Sequence, residues 1–139
     1  LALDLKTLEY RPQIKAKFAT LEATKTVDDL RDRVKMLVGG KDKAGDFYRA
    51  SFNGLFKYVS ERIPEIADET YRIDAAMEAG FGWELGPFET WDAIGVSGYL
   101  KVMEAAGMHP AAWVYEMLEN GCTSFYKIEK GKKLLSETR

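Results

Sequence analysis

Glycine and proline cut this chain into helix-length pieces, and that punctuation constrains the fold more than any other feature. From residue 26 onward the breaks are Gly39-Gly40, Pro64, then Gly80, Gly82 and Gly86-Pro87, then Gly95, Gly107, Pro110 and Gly121. Between them apolar residues recur every three or four positions, which marks one face of a helix. Val27, Leu30, Val34 and Leu37 form the first such stripe, with Thr26 as its expected N-cap and Asp29 completing a weak capping box. A second helix is predicted from about Asp42 to Arg62. Phe47, Tyr48, Phe52, Leu55, Phe56, Tyr58 and Val59 cover so much of its circumference that burial between neighbours is expected.

Pro64 suits the first turn of a third helix, with Glu65, Asp68 and Glu69 beside its N-terminal dipole and Ile66, Thr70, Ile73 and Met77 turned inward. A short fourth helix runs from Pro87 to Ile94, and a fifth covers about Ser97 to Ala106. A sixth opens at Pro110 and stops at Gly121. The run Ser124 to Ile128, a turn through Gly131, and Lys132 to Leu135 predict a β-hairpin. Residues 1–25 alternate short apolar groups with charge around Pro12, and predict an extended or loosely helical connector arm. The expected fold is all-α: a compact bundle of about six helices over residues 26–139, with a small C-terminal hairpin.

Composition removes several function classes. The 139 residues carry 20 Lys and Arg against 22 Asp and Glu, a net charge of −2 that gives nucleic acid no clustered basic surface. Cys122 is the one cysteine and His109 the one histidine, so neither a disulfide framework nor a multi-histidine metal site can form within the chain. The longest run without a charged residue, Ala105 to Tyr115, is too short to span a bilayer. No signal peptide precedes Leu1, and the absence of an initial methionine suggests a piece of a longer polypeptide. A cytoplasmic location is expected.

Chemistry-bearing patterns are sparse. Gly80, Gly82 and Gly86 are spaced one residue too long for a dinucleotide fingerprint, and they follow a helix rather than a strand. His109 and Cys122 flank the sixth helix, at opposite ends, which argues against a nucleophile–base pair. The acidic groups Asp28, Asp29 and Asp32, and Glu65, Asp68 and Glu69, read as solvated helix faces. Lys127, Lys130, Lys132 and Lys133 read as a charged hairpin that resists edge pairing. No catalytic, cofactor-binding or metal-binding residue is assigned. Phe81, Trp83, Phe88 and Trp91 are the informative group: a local core, an interface anchor, or a mixture of both.

From Ile73-Asp74 through Gly80-Phe81-Gly82-Trp83-Glu84-Leu85-Gly86-Pro87-Phe88 to Asp92-Ala93-Ile94-Gly95, the sequence resembles the helical C-terminal domain of 3-hydroxyacyl-CoA dehydrogenases. The likeness extends more loosely from about Lys43 through Phe125-Tyr126, and it most resembles the second copy in fused, duplicated forms. It implies a fold like the C-terminal domain of 6-phosphogluconate dehydrogenase. It implies a separate NAD-binding domain that carries the catalytic His and Glu, and a first helical copy beside this one. Acyl-CoA would be the substrate of the full enzyme, oxidised at its 3-hydroxyl in fatty-acid β-oxidation. The family's Gly-Phe-x-x-Asn-Arg signature is not met at Arg49 to Gly54, so no catalytic role passes to Asn53. Single-copy members pair through this domain, so the isolated chain is expected to self-associate, with Phe81, Trp83, Phe88 and Trp91 as interface residues. A non-enzymatic assembly module and an acyl-CoA-binding module are the alternatives.

Overall fold

A computed structural model describes residues 1–129 and 132–135. Among the described residues seven helices carry the fold: α1 (Ala19–Thr24), α2 (Leu30–Val38), α3 (Lys43–Glu61), α4 (Thr70–Phe81), α5 (Pro87–Ile94), α6 (Val96–Ala105) and α7 (Ala112–Glu119). Two antiparallel hairpins flank them. β1 (Ala2–Leu3) pairs with β2 (Tyr10–Arg11), and β3 (Tyr126–Glu129) pairs with β4 (Lys132–Leu135), Tyr126 facing Leu135. The all-α bundle with a C-terminal hairpin is therefore as the sequence predicts. The seventh helix is α1, which forms inside the stretch read as a connector arm.

Several boundaries follow from local chemistry, and two differ from expectation. Asp29, not Thr26, caps α2, accepting the Asp32 N–H at 3.0 Å. Arg33 holds the Val27 carbonyl at 2.9 and 2.5 Å, which keeps that residue outside the helix. No helix starts at Pro64. The Arg62 carbonyl takes the Ile66 N–H at 2.9 Å, so residues 62–66 close α3 instead, and α4 begins only at Thr70. Ile66 is consequently 70% exposed rather than turned inward. By contrast, the limits predicted for α5 match the structure, because Pro87 pre-sets the first turn and Gly95 stops the last.

Asp42 caps two helices at once. Its Oδ1 accepts the Gly45 N–H of α3 at 3.1 Å, and its Oδ2 accepts the Thr20 N–H of α1 at 2.9 Å. Phe18, the residue at the N-cap of α1, offers no side-chain oxygen, so the cap is supplied from 22 residues away. These donors, Thr20 first, hold the Asp42 carboxyl at about 2. Its contribution to stability is therefore complete above its ordinary value of 3.8 and lost as pH falls toward 2.

The core is built around α5. Phe56 of α3 lies parallel to Trp91 of α5, ring centroids 4.7 Å apart, and Phe52 stacks behind Phe56 at 5.5 Å. Phe125 closes the other side, edge-on to Phe88 at 4.9 Å. Val96, Tyr99, Met103, Val114 and Met117 complete the buried shell. The Trp113 indole N–H donates to the Ser60 carbonyl at 2.9 Å, and the Ser60 hydroxyl accepts the Ala111 N–H at 3.0 Å, fixing α7 on the end of α3.

The helix predicted from Asp42 to Arg62, α3, is not buried all round as its aromatic content implies. Phe47 is 67% and Tyr58 57% exposed, because only the opposite face, with Asn53, Phe56, Val59 and Ser60, meets the body. Gly54 sits mid-helix on the exposed side with open space beside it, where glycine costs about 1 kcal/mol relative to alanine.

Candidate functional site

The residues that carry the family-like pattern meet around the N-terminus of α5. A helix start leaves N–H groups without intrahelical partners. Gly86 stands at the N-cap of α5 and has no side chain to satisfy them. Asp74, from the first half of α4, does so instead. Its Oδ1 accepts the Phe88 N–H at 2.9 Å and its Oδ2 the Glu89 N–H at 3.0 Å. A Cβ built on Gly86 would stand 2.3 Å from both Cβ and Cγ of Asp74 and 2.5 Å from its Cα. Glycine at 86 and aspartate at 74 are thus one device: the cap comes from α4, and the missing side chain makes room for it. Glu89 completes the arrangement locally, accepting the Gly86 N–H at 3.1 Å.

The same carboxylates hold the C-terminal hairpin. The Tyr126 hydroxyl donates to Asp74 Oδ2 at 2.8 Å. Asp92, at the far end of α5, accepts the Phe125 N–H at 2.8 Å and the Tyr126 N–H at 3.0 Å. Lys133 donates to Glu89 Oε1 at 2.6 Å and lies 4.7 Å from the Tyr126 ring, while Arg31 of α2 approaches Glu89 at 3.6 Å. Of the four lysines read as the hairpin's charged tip, Lys133 is thus paired to the body, and Lys130 lies outside the described residues.

Electrostatics follow from this burial. Asp74 is 1% exposed, and burial pushes its carboxyl up against the pull of the Phe88, Tyr126 and Glu89 donors. The Tyr126 hydroxyl is raised by burial and by the Asp74 charge. Burial also pushes Glu89 up, but hydrogen bonds from Glu78 and Lys133 outweigh it and leave it lowered. Glu78 moves the other way, raised by that hydrogen bond to Glu89. Burial carries Asp92 from 3.8 to about 6 despite its two N–H donors.

A raised carboxyl favours the fold when protonated. The stability that Asp92 contributes is thus fully present below 3.8 and lost as pH rises through about 6. Asp92→Asn has no such proton to lose. Urea unfolding of the variant between neutral pH and pH 5 should show a flatter pH dependence than the wild type. An unchanged slope would place the titration elsewhere.

The four aromatic residues read as interface candidates divide in two. Phe88 and Trp91 are 0% exposed and belong to the core, a correction to their reading as interface residues. They lie three apart on α5, the spacing of one buried helix face. Phe81 is 75% and Trp83 39% exposed; Phe81 is the last residue of α4 and Trp83 follows Gly82, whose φ of +68° ends the helix. Asn53 is buried on α3, and its Oδ1 has no hydrogen-bond partner. His109 is exposed and Cys122 partly buried at opposite ends of α7, with the His109 ring 3.2 Å from the Tyr115 hydroxyl. Among the described residues no group of three or more His, Cys, Asp or Glu is placed to hold a metal ion, and no helix is long and apolar enough to cross a membrane.

The fold and this site define an all-α domain whose buried carboxylates cap helices and clasp a hairpin. Comparison with known proteins gives the family. Residues 49–133 match the family described as 3-hydroxyacyl-CoA dehydrogenase, C-terminal domain. A Bacillus subtilis (strain 168) protein named "Probable 3-hydroxyacyl-CoA dehydrogenase" is 40% identical over 129 residues, which is 93% of this chain and 16% of that protein. A Rickettsia felis protein named "Putative fatty acid oxidation complex trifunctional enzyme" is 30% identical over 89 residues, 63% of this chain and 12% of that protein. The chain belongs to the 3-hydroxyacyl-CoA dehydrogenase family, as its C-terminal helical domain. It spans less than a fifth of these relatives' lengths. No solved structure matches it significantly.

Proposed function

We propose that this domain serves an NAD-dependent 3-hydroxyacyl-CoA dehydrogenase of fatty-acid β-oxidation as a packing and cleft-closing element. NAD and the catalytic His and Glu belong, in this reading, to another domain of the longer enzyme. One observation carries it: 93% of the chain aligns at 40% identity with a protein of that name, yet fills only 16% of it. The buried Asp74 and Glu89 and the partly buried Asp92 support the same view. They are engaged by backbone N–H groups, Tyr126 and Lys133, and so serve architecture rather than proton transfer. Phe81 and Trp83 are the residues proposed to meet a neighbouring domain or copy.

The purified chain is expected to show no NADH-dependent reduction of acetoacetyl-CoA above a protein-free blank. Turnover by the chain alone would overturn the assignment of chemistry to another domain. Titration calorimetry with acetoacetyl-CoA should give no specific heat. A saturable signal would instead favour an acyl-CoA-binding module. Self-association is expected in solution, because apolar surface that a partner would cover is left open. A monomeric mass by light scattering at high concentration would count against it.

A further inference from the structure

Residues 1–18 hold a defined shape outside the core. Asp4 organises the turn between β1 and β2. Its Oδ1 accepts the Lys6 N–H at 2.9 Å and the Thr7 N–H at 3.3 Å, and its Oδ2 accepts the Arg11 Nε–H at 3.3 Å. The Asp4 N–H donates to the Glu9 carbonyl at 2.9 Å, and the Leu8 N–H to the Asp4 carbonyl at 2.8 Å. Leu8 takes φ +60°, a left-handed conformation rare for leucine. Yet Leu1, Leu5, Leu8, Tyr10 and Ile14 are 71 to 86% exposed, and none belongs to the hydrophobic cluster around α5. A hairpin with two residues in each strand is marginal in water when nothing covers it. This one accepts backbone strain and presents its apolar side chains to solvent.

Size and charge define what would cover it. The five residues expose roughly 700 Å², close to the 800 Å² or so that one partner gives a standard interface. Lys6, Arg11, Lys15 and Lys17 stand against Asp4 and Glu9, so the arm carries +2. Residues 19–139 hold the other 16 cations and 20 anions, or −4. Arg11 is already paired with Asp4, which leaves Lys6, Lys15 and Lys17 to meet acidic groups. The arm lies outside the stretch 49–133 that matches the family. The Bacillus subtilis protein nevertheless aligns over 129 of the 139 residues, so residues 11–48 at least have counterparts in it, and the aligned part fills only 16% of that protein. In a polypeptide of such length the arm has other domains to lie on.

We infer that residues 1–14 are a docking hairpin, which seats Leu5, Leu8, Tyr10 and Ile14 in a carboxylate-edged apolar groove on another domain of the same polypeptide. The inference rests on the reading of this chain as one domain of a longer dehydrogenase, and names the surface that joins it to the rest. The contact is made ahead of α1, so it is separate from any pairing of helical domains.

Hydrogen exchange followed by mass spectrometry, on the full polypeptide and on residues 1–139 alone, tests it. Amides of residues 2–11 should exchange at least about tenfold more slowly in the full polypeptide. Leu8→Asn should abolish that difference and leave the amides at the start of α5 as protected as before. Asparagine tolerates the left-handed backbone, so the hairpin keeps its shape and loses its apolar tip. Lys15→Glu together with Lys17→Glu should shrink the difference by setting like charges against the groove. Arm amides that exchange equally fast in both proteins, or protection indifferent to these substitutions, would overturn the docking hairpin. The dehydrogenase reading would survive that result if the full polypeptide reduces acetoacetyl-CoA with NADH. A full polypeptide without that activity would overturn the reading itself. Protection of the isolated chain that rises with its own concentration, or that arises only on vesicles of phosphatidylglycerol, would make the partner a second copy or a lipid surface and overturn the inference as well.

Discussion

Gly86→Ala is expected to cost the domain upwards of about 3 kcal/mol, enough to unfold a marginal protein. The added Cβ would fall 2.3 Å from Cβ and Cγ of Asp74 and 2.5 Å from its Cα. Because the Cα belongs to the α4 backbone, rotating the aspartate side chain cannot relieve the collision. Either α4 or the start of α5 must move. Phe88 and Glu89 would then lose the oxygens that accept their N–H groups, and Tyr126 would lose its acceptor. Overpacking and a broken buried cap therefore act together. Gly82→Ala is the matched control. Gly82 has φ +68° but open space around it, so alanine there pays only left-handed strain of about 1–2 kcal/mol. Urea unfolding of the two variants side by side decides the matter, and equal losses would refute the close-approach account.

Asp74→Ala should be comparably damaging, by about 3–5 kcal/mol, since it strands two buried N–H donors and a partly buried hydroxyl. Tyr126→Phe removes one donor and keeps the ring, and should cost about 1 kcal/mol. In the Asp74→Ala background that second change should cost less, because the hydroxyl has already lost its acceptor. Additive losses in such a cycle would mean the Asp74–Tyr126 bond carries no coupling. Hydrogen exchange gives a second view. Amides of β3, which follow the Asp92 and Asp74 contacts, should lose protection in Asp74→Ala along with those at the start of α5. Loss at α5 alone would show that the hairpin docks independently of Asp74.

Much of the helical layout was legible because its signals are local. Pro87 and Gly95 delimit α5 by their own backbone preferences. Pro64 misled for the same local reason. It fits a first helical turn, but the Arg62 carbonyl was already closing α3 on the residues that follow. The aromatic group was harder to divide. Phe81, Trp83, Phe88 and Trp91 offer the same apolar chemistry, and only their position relative to the body separates two in the core from two in solvent. Gly86-Pro87 and Asp74 could be recognised as parts of a family-like pattern, but the sequence does not state that one fills the space the other leaves.

The chain by itself determined where helices can begin and end, since capping, proline and glycine effects act within one turn. It determined too that no histidine cluster or disulfide framework can exist here. The tertiary structure alone decided which carboxylates answer which N–H groups. Asp74 caps α5 from 14 residues away, Asp42 caps α1 from 22, and Asp92 holds a hairpin 33 residues downstream. Contacts at such separations depend on how helices pack, and packing is set by the whole core rather than by any one segment.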